Sequence, residues 1–133
     1  MKEILIKNLK RYRYNFSENK HQIIVKLGLS QIVKINFNED DTISITDKLT
    51  GWNFLTGIID MSIKNSMIYQ TIGLIIGALL LIFVDGKERI LFSPLLTILI
   101  AITGLIIIWS VFYLIRAENM KTKIIFWLNN KDN

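Results

Sequence analysis

Two long apolar stretches dominate the hydrophobic pattern of this chain, and a short charged segment separates them. Residues 68–84 contain eleven Leu, Ile, Phe or Val residues, and residues 91–115 contain sixteen. No Asp, Glu, Lys, Arg or His interrupts either stretch. Because about 18 apolar residues are enough for a helix to cross the hydrocarbon core of a bilayer, the pattern predicts a transmembrane helical hairpin.

The lengths of the two stretches set the expected bounds of the hairpin. At about 1.5 Å of rise per residue, a first span over residues 67–84 is ~27 Å long, close to the ~30 Å hydrocarbon core. In the second stretch, Ser93-Pro94 is typical of a helix N-cap followed by the first helical turn. We therefore expect a second span over residues 94–115 and an external loop over residues 85–93.

Before the hairpin, apolar and polar residues alternate, which is typical of half-buried strands. The clearest case is residues 31–38, where Val33, Ile35 and Phe37 alternate with polar side chains. The predicted strands cover residues 10–16, 21–27, 31–38 and 42–46. Short connections favour pairing between consecutive strands, so we expect residues 1–50 to form a four-stranded antiparallel meander on the cytoplasmic side.

After the hairpin, residues 121–128 (KTKIIFWL) alternate again, with Ile124 and Phe126 on the same side. A lone strand is not stable in water, so we expect this segment to complete the N-terminal sheet as a fifth strand. It belongs to a cytoplasmic tail over residues 116–133. The alternative is an amphipathic helix lying on the membrane surface. The predicted fold class is an α+β membrane protein, in which the two-helix hairpin is inserted into a small antiparallel β-domain.

Aromatic and cationic residues mark the expected level of the inner membrane surface. The apolar distribution of residues 51–66 predicts an interfacial amphipathic segment that leads into the first span. Aromatic rings and arginines at the ends of spans are typical anchors at the headgroup level. The predicted membrane-interface residues are Trp52, Phe54, Trp109, Tyr113 and Arg116.

Positive charge is concentrated on the two flanks of the hairpin. Ten Lys or Arg residues precede the first span and four follow the second, whereas the loop contains two. Because cationic residues resist translocation, we expect both termini in the cytoplasm and the protein in a plasma (bacterial inner) membrane. The net charge of +5 then lies where anionic headgroups attract it. The charged N-terminal segment predicts no cleavable signal peptide.

Small residues predict where the two spans approach each other. Gly73 and Gly77 lie four residues apart on the first span, and Ala101 and Gly104 form a similar stripe on the second. Such positions allow helix backbones to come close. Two interpretations stay open. The residues pack the two helices within one molecule, which the short loop favours, or they form an interface between copies of the chain.

The composition also narrows the available chemistry. The sequence contains no cysteine, which excludes disulfides and thiol chemistry, and one histidine, His21. It contains no phosphate-binding loop, nucleophile elbow or metal-ligand spacing. The spans carry no ionisable residue of the kind that marks a transport pathway. We therefore expect no enzyme activity, no cofactor and no metal site.

Two functions fit this pattern. The first is a non-catalytic accessory or scaffold protein that presents a β-domain at the inner leaflet, with the lipid bilayer and a membrane-protein partner or a second copy as its partners. The second is a ligand-sensing effector whose spans oligomerise and perturb the membrane, and a pocket ringed by Tyr12 and Tyr14 would favour it. Nucleic acid is not an expected partner, because the excess positive charge flanks membrane helices.

Overall fold

The computed structural model describes residues 1–38, 42–85 and 94–130, and in this part of the chain it contains one sheet and three helices. The elements in chain order are α1 (Lys2–Arg11), β1 (Asn15–Glu18), β2 (Gln22–Gly28), β3 (Gln31–Phe37), β4 (Ile43–Leu49), α2 (Ile63–Asp85) and α3 (Pro94–Asn129). Most of the predicted loop over residues 85–93 and the last three residues of the predicted tail lie outside the described residues.

The four strands form an antiparallel sheet in the order β1-β2-β3-β4, which confirms the predicted meander. Ile23 pairs with Ile35, and Ile35 pairs with Ile45, so one face of the sheet carries a row of isoleucines. Val25 and Val33 form the next row on the same face. The residues of the opposite face are half-buried or exposed throughout.

Helices α1 and α3 cover the apolar face of the sheet and complete the core. Helix α1 contributes Leu5 and Leu9, which lie one helical turn apart and are both fully buried. The core cluster consists of Leu5, Leu9, Ile23, Val25, Val33, Ile35, Met120, Ile124 and Trp127. Removing one such aliphatic side chain from water contributes roughly 1.5–3 kcal/mol, so this cluster is the main source of stability of the domain.

The first strand begins later than predicted, because part of residues 10–16 belongs to helix α1. The burial of Leu5 and Leu9 favours a helix in this segment. Arg13 then adopts a left-handed backbone conformation, with φ of 56°, and turns the chain into β1. Tyr12, which was assigned to the strand, instead stacks on Trp127 with the ring centroids 5.5 Å apart.

The predicted fifth strand is wrong, because residues 121–128 form the end of helix α3. The predicted strand puts Phe126 on the same side as Ile124, but in the structure Phe126 is exposed, whereas Ile124 and Trp127 are buried. The buried residues of this part of the helix recur three or four positions apart, and they are Tyr113, Ala117, Met120, Ile124 and Trp127. This part of the helix packs on the apolar face of the sheet instead of pairing with one of its edges as a fifth strand.

Helix α3 has two parts with different surroundings. We call residues 94–112 its lower half and residues 113–129 its upper half. The whole helix of 36 residues is ~54 Å long at about 1.5 Å per residue, whereas the hydrocarbon core of a bilayer is ~30 Å thick. One continuous helix is therefore long enough to cross a membrane and still reach across the sheet.

Between β4 and α2, the predicted interfacial segment over residues 51–66 is an irregular loop followed by the first turn of α2. Two isolated bridges close the loop, one between Leu49 and Met61 and the other between Asn53 and Gly57. Helix α2 begins at Ile63, earlier than the predicted span, and α3 begins at Pro94, where the second span was expected to start.

Candidate membrane interface and helix joint

Helices α2 and α3 are both long and apolar enough to cross a membrane. The candidate spans are Ile63–Val84 and Pro94–Asn129, and the most apolar window of 18 residues in each has a mean hydropathy of 2.3 and 2.6, respectively. Their apolar side chains lie mostly on the surface, and Phe83, for example, is 88% exposed. In the most apolar window of the two helices, 6% and 11% of the residues are buried. These two windows therefore contribute little to the core of the protein.

Helix α2 packs against the lower half of α3 along a narrow seam. At one end of the seam, Ser110 Oγ donates a hydrogen bond of 3.2 Å to Gln70 Oε1. Further along, a Cβ atom added to Gly77 would lie 3.5 Å from Leu99 Cδ1, which is an ordinary van der Waals distance. Leu81, one turn beyond Gly77, is buried. The seam joins the two helices side by side within one molecule.

The structure places the four predicted helix-packing residues in different surroundings. Gly77 lies in the seam. Gly73 and Ala101 are exposed on their helices, and Gly104 is half-buried. A Cβ atom added to Gly73 or Gly104 would have no neighbour within 4 Å. The four residues therefore do not form one common contact between α2 and α3.

The loop after β4 exposes two aromatic side chains, Trp52 and Phe54. Asn53 is buried, and its Oδ1 accepts hydrogen bonds from the backbone N–H groups of Leu55 and Thr56, at 3.0 and 2.9 Å. Such side-chain bonds to the following backbone stabilise tight turns. The neighbours of Asn53 point outward, since Trp52 is 72% exposed and Phe54 is 48% exposed. The loop thus presents both rings from an ordered backbone.

The turn between β2 and β3 carries an exposed leucine in a strained conformation. Leu29 and Ser30 both adopt positive φ angles, 51° and 61°. Two-residue turns of this kind favour Asn and Gly, and other residues there cost on the order of 1 kcal/mol each. The Leu29 carbonyl accepts a hydrogen bond of 2.9 Å from the Tyr113 hydroxyl. Ser30 Oγ donates to the Trp52 carbonyl at 2.6 Å, so this turn and the aromatic loop lie side by side.

Large exposed apolar side chains outside α2 and α3 are concentrated in these two loops. Of seven such residues in the described chain, five belong to the loops. We call this cluster the apolar rim, and it consists of Leu29, Trp52, Phe54, Ile58 and Ile59. A cluster of this kind on one side of a small domain is typical of an interaction surface.

The apolar rim lies beside the place where the two spans meet the domain. The rings of Phe54 and Trp109 are 5.7 Å apart, and Gln70 Nε2 of α2 donates a hydrogen bond of 2.9 Å to the Leu55 carbonyl. The rim is therefore continuous with the exposed apolar surface of the helices.

The predicted membrane-interface residues meet at this junction, but two of them bind protein groups. Trp52 and Phe54 belong to the apolar rim, and Trp109 lies 6.0 Å from Tyr113 between ring centroids. Tyr113 is buried, and its hydroxyl donates a hydrogen bond to the Leu29 carbonyl in the turn between β2 and β3. Arg116 donates a hydrogen bond to the Leu27 carbonyl. Tyr113 and Arg116 thus fasten α3 to the sheet.

A single carboxylate joins the sheet to both long helices. Asp47 of β4 accepts a hydrogen bond of 3.0 Å at Oδ2 from the backbone N–H of Ile63, the first residue of α2. Its Oδ1 accepts one of 2.7 Å from Lys121 Nζ in the upper half of α3. Lys121 also pairs with Glu118 at 2.9 Å. We call Asp47 and Lys121 the helix joint.

Burial and ion pairing act in opposite directions on the pKa values of the helix joint. Burial alone would raise the pKa of Asp47, but the bonds from Lys121 and from the Ile63 N–H outweigh it and hold the pKa below its ordinary value of 3.8. Burial would lower the pKa of Lys121, but the bonds to Asp47 and Glu118 raise it above 10.5. Both groups are therefore charged at neutral pH, and the pair acts as a permanent tether.

Sequence reasoning missed two residues of the junction, Gln31 and Asp47. Gln31 is buried, and its Nε2 donates a hydrogen bond of 2.7 Å to the Tyr113 carbonyl. Both residues occupy inward positions of their strands, in step with Val33 and Ile45. A polar side chain at such a position needs a partner, because unpaired burial is costly. The alternation pattern therefore contains a signal that would have found them.

Among the described residues, no group of three or more His, Asp or Glu side chains is arranged to hold a metal ion. The junction instead combines apolar packing, hydrogen bonds to backbone carbonyls and one ion pair, an arrangement suited to holding elements in fixed positions. Comparisons with protein-family models, curated protein sequences and solved structures give no match to this chain.

Proposed function

We propose that this chain is a non-catalytic membrane protein that acts as an accessory or scaffold subunit on the cytoplasmic face of a bacterial inner membrane. In this proposal, α2 and α3 cross the bilayer and hold the β-domain at its inner surface. The observation that carries the proposal is that α3 is one helix with an exposed apolar lower half and an upper half built into the core of the domain. A domain held in this way keeps a set orientation to the membrane.

The exposure of the spans supports a membrane environment over a soluble one. An apolar helix of a soluble protein hides its side chains in the core, whereas the most apolar windows of α2 and α3 are 6% and 11% buried. Exposed apolar surface of this extent needs a cover. The lower half of α3 is about 28 Å long at about 1.5 Å per residue, close to the ~30 Å that lipid would cover.

The apolar rim supports the same placement of the domain. The Phe54 ring of the rim contacts Trp109, and in the proposal both lie at the level where aromatic side chains meet headgroups and hydrocarbon. Leu29 is held in a strained turn, and strain of this kind persists where the surroundings or the function demand it. In the proposal, the rim inserts into the headgroup region and gives the domain a second contact with the inner leaflet.

The alternative function, a ligand-sensing effector, gains no support from the aromatic residues near the N-terminus. Tyr12 stacks on Trp127, and the Tyr14 ring meets Trp127 edge-on at 6.2 Å. Lys123 Nζ also donates a hydrogen bond of 3.0 Å to the Tyr14 hydroxyl. These rings pack against helix α3 and are occupied by contacts within the protein.

Single introduced cysteines test the proposed topology, because the natural chain contains none. We expect Asn19→Cys and Asn130→Cys to react with a membrane-impermeant maleimide only after the cells are permeabilised. Gly86→Cys, in the predicted external loop, should react in intact cells. The reversed pattern would contradict a cytoplasmic domain, and release of the chain into the soluble fraction by alkaline carbonate would contradict membrane crossing.

A further inference from the structure

The charged residues of the sheet are segregated between its two faces. The described strands contain five of them, and these are Glu18, Lys26, Lys34, Asp47 and Lys48. Paired residues of neighbouring antiparallel strands point to the same side of a sheet. Glu18 pairs with Ile23 and Asp47 pairs with Val33, so both carboxylates lie on the face that α1 and α3 cover.

The three lysines all lie on the opposite face, which we call the lysine face. Lys26 pairs with Ile32, and Ile32 pairs with Lys48, so these residues form one row across three strands. Lys34 pairs with Ile24 in the next row. Because neighbouring strands are about 4.8 Å apart, Lys26 and Lys48 flank Ile32 at a backbone separation of about 10 Å.

Most of this positive charge is not neutralised within the protein. In the described part of the chain, neither Lys26 nor Lys34 forms a direct ion pair, although the charge of Lys34 also helps to lower the pKa of Asp60. Lys48 pairs with Asp60 at 3.2 Å, but the side chains are 34% and 46% exposed. Exposed pairs of this kind are weak, so a stronger acidic partner can displace Asp60.

We propose that the lysine face docks an acidic surface of a partner protein. Carboxylates of the partner would pair with Lys26, Lys34 and Lys48, and an apolar side chain would cover Ile24 and Ile32, which are half-buried. Complementary charge around a small apolar centre is a common design of protein interfaces. A second copy of this chain does not fit, because both copies would carry the same lysines and a net charge of +5.

The position of the lysine face allows a protein partner to be distinguished from lipid headgroups. Helix α3 crosses the covered face, with Tyr113 bound at the β2–β3 turn and Trp127 packed beside Tyr14 of the segment leading into β1. The sheet therefore extends away from the spans along the upper half of α3. Headgroups would reach the row nearest the turn, Lys26 and Lys48, before they reach Lys34. This argument, unlike the lysine face itself, rests on the proposed membrane crossing.

Peptide binding by the full chain tests the proposal. The probe is a short fluorescent peptide of alternating Glu and Val, and the protein is held in nanodiscs of zwitterionic phosphatidylcholine. The variant K26Q/K34Q/K48Q removes the lysine face. The control K7Q/K10Q/K20Q removes the same charge from three exposed positions outside the strands. Anisotropy titrations should show binding to the wild type, a loss of about tenfold or more in the first variant, and a loss of less than about twofold in the control.

Several outcomes would overturn the proposal. Absence of peptide binding by the wild type, or equal losses in both triple variants, would show that the face has no particular affinity for acidic partners. Binding to phosphatidylserine vesicles that falls in Lys26→Gln and Lys48→Gln but not in Lys34→Gln would assign the face to headgroups. If the first triple variant loses its native circular dichroism, Lys34→Glu alone should still abolish peptide binding. The same titration in detergent separates this result from a failure of the membrane proposal.

Discussion

The lower and upper halves of α3 contain similar apolar residues in one unbroken helix, but they use these residues differently. In the lower half, apolar side chains such as Ile100, Leu105 and Ile108 are exposed around the helix. In the upper half, burial follows a single stripe that includes Met120 and Ile124. A helix with one apolar stripe is typical of packing on a water-soluble core, whereas an apolar surface all round is typical of a helix within a membrane or a protein interior.

This difference shows how an exposed apolar helix can continue into a packed core without a hinge. The hydrogen bonds that fasten the helix to the sheet begin at Tyr113 and Arg116, where the lower half ends. Above that level the sheet covers the stripe, and below it no element of the described domain does. The boundary between the exposed half and the packed half is thus a set of side-chain contacts, and the backbone continues through it.

The largest effect is expected for the buried stripe of the upper half. Ile124→Ala removes a side chain that is fully buried in the core, and such changes cost about 2–5 kcal/mol of unfolding free energy. Ile125→Ala makes the same change on the exposed side and should alter stability by less than about 0.5 kcal/mol. Chemical denaturation in detergent measures both. Equal losses would mean that the stripe is not the packed face.

A charge placed in each half tests whether the two halves have different surroundings. Leu105 in the lower half and Ile125 in the upper half are similarly exposed, at 48% and 50%. In the proposed membrane crossing, only Leu105 faces lipid. Leu105→Lys should impair membrane insertion by about 3 kcal/mol, seen as chain lost from the carbonate-washed membrane fraction. Ile125→Lys should leave insertion unchanged. If both variants insert equally well, the lower half is not surrounded by lipid.

The seam between α2 and the lower half of α3 is expected to give a smaller effect. Gly77→Ile adds bulk beside Leu99 and should weaken helix packing by about 1–3 kcal/mol. Gly73→Ile adds the same bulk where a Cβ atom has no neighbour within 4 Å. Thermal unfolding of the detergent-solubilised chain should therefore separate the two variants. A stronger effect of Gly73→Ile would point instead to a contact between copies.

The smallest effect is expected at the helix joint. Asp47→Asn removes the ion pair with Lys121 and weakens the bond to the first N–H of α2, and the loss of a cap of this kind costs about 1 kcal/mol. Glu118→Gln removes the other carboxylate that pairs with Lys121, but Glu118 is exposed. We expect this control to change stability by less than about 0.5 kcal/mol.

The pH dependence of the joint follows from the directions of the two pKa shifts. The pKa of Asp47 is lowered on folding, so its contribution is complete above the ordinary value of 3.8 and is lost as the pH falls through the lowered value. The pKa of Lys121 is raised, so its contribution is complete below 10.5 and is lost as the pH rises through the raised value. As the pH is lowered into the acid range, the melting temperature of Asp47→Asn should therefore fall less than that of the wild type. If the melting temperatures of the variant and the wild type fall equally in acid, Asp47 does not stabilise the fold through its ion pair with Lys121.

Much of the candidate interface could be found from the types of residue alone. Trp52, Phe54 and Trp109 stand out because aromatic side chains near the ends of apolar spans favour the headgroup level, and the structure brings them to one junction. The partners of Asp47 and Gln31 could not be found in this way. Lys121 is 74 residues from Asp47, and Tyr113 is 82 residues from Gln31, so only the folded chain shows which residues meet.

The sequence by itself determined the two long apolar helices and the antiparallel meander, because both depend on periodicity within short windows of the chain. It did not determine whether residues 121–128 form a strand or a helix, since KTKIIFWL satisfies an alternating pattern as well as a helical stripe. Tertiary packing decided this. The sheet consists of four strands, and its apolar face needs helix α3 in addition to α1 to be covered. A helix that continues from the apolar lower half of α3 buries Met120, Ile124 and Trp127 on that face without interrupting its own backbone hydrogen bonds.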